Sequence, residues 1–495
     1  MSILTKCAVA LLSLIFGAVF LVGCVSGHSF APLVGNPNPP AAGNLNLVFV
    51  VSEDVMFSTA GDIDPATANL TNSGLQRALM MDTFLYQYVS QSQNATSIYA
   101  LEPMTHLQTA AKLPDMNGLN TVQQLSVLNQ TTLSSSTSGG DPYAGQNSPV
   151  NASYSAGSLP VGAYTPSPYC PTCQGLDFND AGGDNEALVD EIVKTTRQGL
   201  FIFSAPWETT STLLAKINPL EGFHLKLPSN YGGPNVVYVI SISPSGTASL
   251  ITYNSNAVPL ATYPVLPASG LVSAACTVNS PPSLHVIGGV NGAVVPASIN
   301  TNETVYFVRH ADAHPYNDWS DNNYVGAGQW RALDLPNSLR GKVNPDQVWS
   351  GDPSQYGEGT VAANGDFNWS GLAPAMTVVP YAIANKLPYH LMTTVDWTAT
   401  DPGPDTSTFF FNGGQFSNHK VLFGYAYVQM GQTVNALLAS YFPGSANPPT
   451  APVWSPYDYD SLWVITLDSK GNLTADFTQC EGISSGSLPP LPPSF

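Results

Sequence analysis

Residues 305–315, VYFVRHADAHP, contain the signal that decides the fold. The first four are β-branched or aromatic without a polar interruption, which is typical of a strand covered on both faces of its sheet. Arg309 and His310 follow at once, and Pro315 ends the segment. Because open α/β sheets bind ligands at the carboxyl ends of their strands, this Arg-His pair is predicted to stand at such a site.

Five segments of the first half recur in the same order in the second half. The matched pairs are 47–54 with 304–311, 70–79 with 324–333, 97–110 with 347–360, 199–217 with 420–441, and 235–253 with 460–477. In the second pair Gly74 is in register with Gly328, and Arg77 with Arg331. Five matches in one order predict an internal repeat.

Alternation of apolar runs with helix-like segments predicts an α/β fold. We expect two tandem three-layer α/β/α domains with mainly parallel sheets. The predicted boundaries are a signal peptide at 1–23, linkers at 24–44 and 276–300, domains at 45–275 and 301–484, a loop insertion at 113–186 and a Pro-rich tail at 485–495.

Charge in this chain is scarce and mostly negative. The 495 residues include 14 Lys and Arg against 33 Asp and Glu, a net charge of −19. Such a surface repels nucleic acid, which is therefore excluded as a partner. A phosphorylated small molecule would need a local pocket of cations. The sequence has no phosphate-cradling glycine loop and no GxSxG elbow, and we predict no cofactor.

The first 24 residues have the pattern of an export signal. One Lys precedes an apolar run that is short for a spanning helix, and the run ends in LVGC at 21–24. This ending resembles a bacterial lipobox, which predicts acylation of Cys24. The alternative is an ordinary signal peptide or membrane anchor. Val25 favours the outer membrane, so we expect a cell-envelope or extracellular protein held to the membrane by lipid.

Four further cysteines lie in the exported part of the chain, and their even number predicts disulfides. Cys170 and Cys173 form a CPTC motif, for which a loop disulfide is favoured over a redox pair or half a zinc site. Cys276 and Cys480 lie near the ends of the two halves and are a candidate pair. The count alone leaves three connectivities open.

The segment DFNDAGGDNE at 177–186 is a candidate calcium-binding loop. Asp177, Asn179 and Asp180 partly follow the ligand spacing of such a loop, but Leu188 stands where a bidentate Glu is needed. The alternative is an Asx-rich loop that caps the following helix. No other metal site is predicted.

The repeated segments resemble the histidine phosphatase superfamily, which includes phosphoglycerate mutases and acid phosphatases. In the second half the resemblance rests on VYFVRHADAHP, GAGQWRAL, VWSGDP and YDYDSLWVITLD, and in the first half on LVFVVSED, LTNSGLQRAL and IYALEPMTHLQTA. It covers most of residues 45–484. It implies a neutral histidine that attacks phosphorus, surrounded by cations and an acid that protonates the leaving group.

The second half keeps only part of this site. By resemblance, His310 is the candidate nucleophile, Arg309 the candidate phosphate clamp, and His314 an accessory group. The second Arg of the family is absent after SGDP, where the chain reads Ser354, Gln355 and Tyr356. The second His is also absent, because residues 426–427 are Ala-Tyr.

The first half departs further from the family. Residues 52–53 are Ser-Glu in place of Arg-His, His106 stands where the second Arg belongs, and residues 206–207 are Pro-Trp in the region of the second His. Glu53 would place a negative charge where phosphate should bind. We therefore predict that this half is non-catalytic.

Three functions follow, in order of preference. The first is a lipid-anchored binding or structural protein, a pseudoenzyme in which catalysis is reduced or lost. The second is an active phosphomonoesterase with a phosphohistidine intermediate at His310, which would act on a phosphorylated small molecule. The third is an extracellular assembly or adhesion protein, for which protein partners or self-association are expected.

Overall fold

The computed structural model of the chain describes residues 35–128, 149–154, 159–160, 174–180, 182–267, 276, 283–313, 322–354, 370–395 and 400–495. The strands described are β1 Leu45–Val51, β2 Ser97–Ala100, β3 Leu107–Gln108, β4 Leu113–Pro114, β5 Val150–Asn151, β6 Gly199–Ala205, β7 Val236–Ile242, β8 Ala248–Asn254, β9 Leu284–Val286, β10 Glu303–Arg309, β11 Gln347–Gly351, β12 Tyr389–Met392, β13 Lys420–Tyr425, β14 Ser461–Leu467 and β15 Leu473–Cys480. The helices described are α1 Asn72–Phe84, α2 Asn117–Asn120, α3 Gln123–Leu128, α4 Asp184–Thr195, α5 Trp207–Leu220, α6 Gly326–Ser338, α7 Leu372–Asn385, α8 Gly403–Phe411 and α9 Tyr427–Ser440.

Two large sheets have the same strand order over six strands. The first is ordered β5-β2-β6-β1-β7-β8, and the second β12-β11-β13-β10-β14-β15 with β9 added at its edge. The central strands β1 and β10 arise from the apolar runs that the sequence marks as buried. They occupy equivalent places in the two sheets.

Each sheet is mixed, whereas the sequence predicts mainly parallel sheets. Four strands of each sheet run parallel, and the strands beyond β1 and β10 run antiparallel. The antiparallel part exists because β7–β8 and β14–β15 are hairpins with short turns. Gly246 and Gly471 supply the positive φ in these turns, at +84° and +75°.

Helices cover both faces of both sheets. Val48 and Val50 of β1 face a central cluster of buried side chains, whereas Leu47 and Phe49 face an outer cluster with α4 and α5. In the second sheet, β10 alternates in the same way between the central cluster and an outer cluster with α8 and α9. The central cluster contains α1 and α3 together with α6 and α7, so one continuous core serves both sheets.

Polar contacts also link the two halves, and we call the surface where they meet the joint. The contacts that define it are Gln123 Nε2 to Asn323 Oδ1 (3.1 Å), Asn323 Nδ2 to Ser126 Oγ (3.1 Å), Asn69 Nδ2 to Leu387 O (3.0 Å), and Ala152 N to Ser370 Oγ (2.8 Å). Burial of these groups is tolerated because each donor has an acceptor across the joint.

Segments predicted as insertion and linker contribute to the core. Residues 117–128, inside the predicted insertion, form α2 and α3 in the central cluster. Inside the predicted linker, β9 pairs with β15, and Cys276 is bonded to Cys480. The tail is also docked, because Trp330 Nε1 donates to Leu491 O at 2.7 Å.

The glycine and arginine that repeat in register surround an aspartate in each half. In the first half, Arg77 Nε binds Asp62 Oδ2 at 2.5 Å, and a Cβ on Gly74 would lie 2.2 Å from Asp62 O. The N–H of Thr71, which precedes α1, donates to the same carbonyl at 2.8 Å. Helix α1 is thus fixed to the loop that follows β1.

The second half has the same arrangement at α6. Arg331 Nε binds Asp312 Oδ2 at 2.5 Å, a Cβ on Gly328 would lie 2.4 Å from Asp312 O, and the N–H of Val325 donates to that carbonyl at 2.9 Å. The repeated residues therefore encode a structural contact.

In the part of the chain that the structure describes, no helix is both long and apolar enough to cross a membrane.

Candidate functional site

His310 follows the last residue of β10 and is partly exposed. Its backbone N–H donates to Tyr425 O at 2.9 Å, so β13 fixes its place at the sheet edge. Nδ1 lies 2.9 Å from Ala311 O, and because a carbonyl oxygen only accepts, Nδ1 carries the proton. Nε2 therefore holds the lone pair, and no residue within the described ranges hydrogen-bonds to it.

The imidazole of His310 is neutral. Burial, and next the charge of Arg309, lowers its pKa to about 3, although Ala311 O and Asp312 act in the opposite direction. A neutral ring whose tautomer is set by a backbone carbonyl is the state that nucleophilic attack requires. In this respect His310 matches its predicted role.

Arg309 is buried and fixed by a loop of its own half. Its Nη1 is directed at three carbonyl oxygens, those of Ser455 (3.4 Å), Pro456 (2.7 Å) and Asp458 (3.1 Å). Hydrogen bonds from a cation are stronger than those between neutral groups. Arg309 therefore anchors the segment 455–458 over the end of β10.

Two tyrosines cover the Arg309 guanidinium. Its central carbon lies 3.8 Å from the ring centroid of Tyr459 and 4.5 Å from that of Tyr427. Tyr427 begins α9 directly after β13, at the place where the resemblance implies the acid-His pair. An aromatic face attracts the existing cation and supplies no further charge for a phosphate.

The other buried arginine of this half, Arg331, is bound to two acids and not directed at His310. Arg331 is fully buried and binds Asp312 at 2.5 Å and Glu481 at 2.8 Å. Burial lowers its pKa, but the charges of Asp312 and Glu481 outweigh burial and raise it. Of the 14 Lys and Arg residues only Lys6 lies outside the described ranges. Among the described residues, Arg309 is the cation whose charge acts on the pKa of His310.

The strand end after β11 carries an acid, Asp352, just before residues 354–356, where the resemblance implies the second arginine. Asp352 is buried, and its Oδ1 accepts hydrogen bonds from the N–H and the hydroxyl of Ser354. Burial raises the pKa of Asp352 to about 6. This part of the pocket offers no positive charge to an anion.

The corresponding strand ends of the first half are acidic. Burial, together with the charge of Asp62, raises the pKa of Glu53 to about 8, against the N–H of Thr59 and the charge of Arg77. His106 Nδ1 lies 2.8 Å from Asp115 Oδ2, and its ring stacks on Phe178 at 3.6 Å. Burial lowers the pKa of His106, but the bond to Asp115 and nearby acids outweigh it and raise it.

A lysine ammonium takes the place of a metal ion at the predicted calcium loop, residues 177–186. Lys216 Nζ binds Asp180 and also Glu186, the latter at 2.9 Å, so an ammonium supplies the positive charge there. Asn185 accepts from the N–H of Asp177 and donates to its carbonyl, and Asp180 accepts from the N–H of Asn185, whereas Gly183 before α4 makes no side-chain cap and Asn179 is exposed. Among the described residues, no group of three or more His, Cys, Asp or Glu is arranged to hold a metal.

Four predicted residues lie outside the described residues: Cys24, Cys170, Cys173 and His314. Sequence reasoning missed Tyr427 and Tyr459 as partners of Arg309. The signal for Tyr459 is the YDYD run at 457–460, immediately before β14. The signal for Tyr427 is an aromatic residue placed directly after a buried strand.

No protein-family model matches this chain, and neither does any curated protein. It is similar to a solved Agrobacterium tumefaciens structure assigned as the phosphohistidine phosphatase SixA, with 16% identity, a TM-score of 0.21, and coverage of 33% of this chain and 92% of that one. It is also similar to a phosphoserine phosphatase variant from Entamoeba histolytica in complex with phosphoserine, with 9% identity, a TM-score of 0.19, and coverage of 36% and 96%.

These solved structures are members of the histidine phosphatase superfamily. Each match covers about a third of this chain, and its TM-score is too low to bear on activity.

Proposed function

We propose that the chain is an exported, lipid-anchored protein of two tandem histidine-phosphatase-like domains with a binding or structural role. Phosphoryl transfer is reduced or lost in it. One observation carries this proposal. Arg309, which would have to clamp the phosphate, is held by three carbonyl oxygens and covered by two tyrosine rings.

Electrostatics supports a loss of catalysis. A transferring phosphoryl group carries about two negative charges, and each missing transition-state donor typically lowers the rate by about 10²–10³. Tyr427 stands where the resemblance implies the acid-His pair, and Asp352 at a neighbouring strand end is a buried acid. A site with one engaged arginine and a buried acid therefore stabilises the transition state poorly.

The shared strand order and the repeated Gly-Arg-Asp arrangement support the tandem part of the proposal. Two sheets built by unrelated segments would have no reason to fix their first helix through the same three residue types. The lipid anchor and the envelope location rest on the LVGC segment alone.

Hydrolysis of a generic aryl phosphate tests the proposal. The purified mature protein, His310→Ala and the control His419→Ala are compared across pH 4–8. His419 is an exposed histidine beside Asp346, far along the sheet from His310. We expect all three proteins to show the same background rate. Turnover that His310→Ala abolishes and His419→Ala retains would contradict the proposal.

A second candidate function is a slow phosphomonoesterase, because two observations favour it. His310 is neutral with Nε2 holding its lone pair, and Arg309 Nε is buried without a hydrogen-bond partner among the described residues. In this case Nε2 forms the bond to phosphorus, the alkoxide leaves, and water later releases phosphate from the histidine.

Two results would identify this second function. Rapid quenching of the protein with substrate would trap phosphate on histidine in the wild type and not in His310→Ala. Because the pKa of His310 is about 3, protonation of the nucleophile would not limit the rate at any pH between 4 and 8. A rate that fell on acidification with a midpoint near 6 would assign the nucleophile to another group.

A further inference from the structure

Two buried carboxyl groups from different sheets lie near each other at the joint, because the charge of one acts on the other. Glu102 follows β2 and Asp352 follows β11, and their exposed fractions are 0% and 1%. The alignment of 97–110 with 347–360 pairs Pro103 with Pro353, so the two acids occupy equivalent strand ends. The inter-half bond from Ala152 N to Ser370 Oγ lies in the same region, since Gly371 N donates to Pro353 O.

Each carboxyl group uses one oxygen and leaves the other unpaired. Glu102 Oε1 accepts from Met104 N at 3.0 Å, and Asp352 Oδ1 accepts from Ser354 N at 2.9 Å. Glu102 Oε2 and Asp352 Oδ2 are buried and have no hydrogen-bond partner among the described residues. A buried carboxylate oxygen without a donor is costly, whereas a protonated carboxyl group can donate.

The surroundings of the pair offer no counter-charge. The titratable groups that act on it are Asp177, Tyr154 and Tyr389, none of which is a cation. No described Lys, Arg or His forms a salt bridge with Glu102 or Asp352. Of all Lys and Arg residues only Lys6 lies outside the described ranges. Two ionised acids here would therefore repel each other without compensation.

The protonation equilibria agree with this geometry. Burial, and next the charge of Asp352, raises the pKa of Glu102 well above its usual range, against Met104 N–H and Ser354. Burial raises the pKa of Asp352 to about 6. An acid whose pKa is raised by folding stabilises the fold fully below its unfolded pKa, near 4. The contribution of Asp352 is lost as the pH rises through 6, and that of Glu102 at higher pH.

We infer that the joint is a proton-dependent latch, tightest while Glu102 and Asp352 are both protonated and loosened as they ionise. The two halves then separate locally along α3 and α6, while each half keeps its own outer cluster. The chain is thus built to be closed in an acidic medium. This regulation is independent of whether His310 transfers phosphate.

Hydrogen exchange and thermal unfolding test the latch in the full mature protein. We compare the exchange rates of peptides from α3 and α6 of the wild type between pH 5 and 7, after correction for intrinsic exchange. For each proton that opening of the joint releases, the rate should rise about tenfold per pH unit. In Glu102→Gln and Asp352→Asn this pH dependence should fall by at least half, because an amide remains neutral. The pH slope of the unfolding midpoint should decrease in these variants but not vanish, because Glu303 also contributes to it.

Glu303→Gln is the matched control. Glu303 is a fully buried acid of β10 whose pKa is raised by burial to about 9, and Asn300 of the same half donates to it. This variant should change the pH slope of the unfolding midpoint and leave exchange at the joint as in the wild type. The latch is refuted if joint exchange in the wild type is independent of pH, or if both joint variants keep the wild-type slope. Should Glu102→Gln fail to fold, the wild type and Asp352→Asn decide.

Discussion

A single residue, Arg309, illustrates how a catalytic side chain can become a structural one. The guanidinium is planar, always charged in practice, and carries five donors, so the group that clamps a phosphate can equally bind backbone carbonyls and stack on rings. Its place at the end of β10 could be predicted from the preceding apolar run. Its partners could not, because Ser455 and Tyr459 are about 150 residues away in the chain and come near only through folding.

Replacement of Arg309 by Gln tests its structural role. The variant removes charge-assisted hydrogen bonds, worth about 1.5–3 kcal/mol, and cation–π contacts worth about 0.5–2 kcal/mol. We expect the free energy of unfolding, measured with denaturant, to fall by about 2–4 kcal/mol. The control Arg340→Gln alters an exposed arginine bonded to Asn337 and should change it by less than about 0.5 kcal/mol. Equal stabilities of the two variants would mean that Arg309 is not an anchor.

At the scale of elements, the sequence was most informative where apolar patterns were continuous. The buried runs became β1, β6, β10 and β13, and the helix-like segments became α1 and α6. The short helices α2 and α3 lie inside the predicted loop insertion, because richness in Ser, Thr, Gly and Asn over 113–186 predicts a loop. The buried apolar positions Leu119, Val122 and Leu125 of this segment recur every three residues, which is the signal that was available.

Close packing of α6 on the loop after β10 gives a prediction at this scale. In Gly328→Ala the new Cβ would meet Asp312 O at 2.4 Å and the Tyr324 side chain at 2.6 Å, so the helix must shift. Overpacking of this kind costs about 1–3 kcal/mol of the free energy of unfolding.

A glycine of α9 provides the matched control for this substitution. A Cβ on Gly431 meets nothing within 4 Å, and alanine favours helix there by about 0.5–1 kcal/mol. Thermal unfolding of Gly328→Ala and Gly431→Ala should therefore shift in opposite directions. A stable Gly328→Ala protein would show that the repeated glycine is not required for the contact with Asp312.

At the scale of the whole molecule, the two large sheets have the same strand order over six strands, while the internal repeat itself stays a prediction. How the halves pack against each other was beyond the sequence. A periodic pattern reports that a helix face is buried, but not which surface covers it, so the shared core of α1, α3, α6 and α7 was not anticipated. For the same reason the sequence could not predict that Glu102 and Asp352 lie near each other. Neither the segment after β2 nor the segment after β11 indicates that it faces an acid of the other half.

The bond between Cys276 and Cys480 gives the prediction that concerns the whole chain. It closes a loop with a sequence separation of 204 and ties the segment before β9 to the last residue of β15. A cross-link over so long a loop restricts the unfolded chain strongly, and loss of a native disulfide typically costs about 2–5 kcal/mol. Cys480 also lies beside Glu481, which binds the buried Arg331, so the disulfide holds β15 where that ion pair forms.

Under oxidising conditions, Cys276→Ser, Cys480→Ser and the double variant should all lose the same free energy of unfolding, because either substitution removes the whole bond. If the double variant instead lost the sum of two small separate effects, each cysteine would contribute through its own packing and not through the bond.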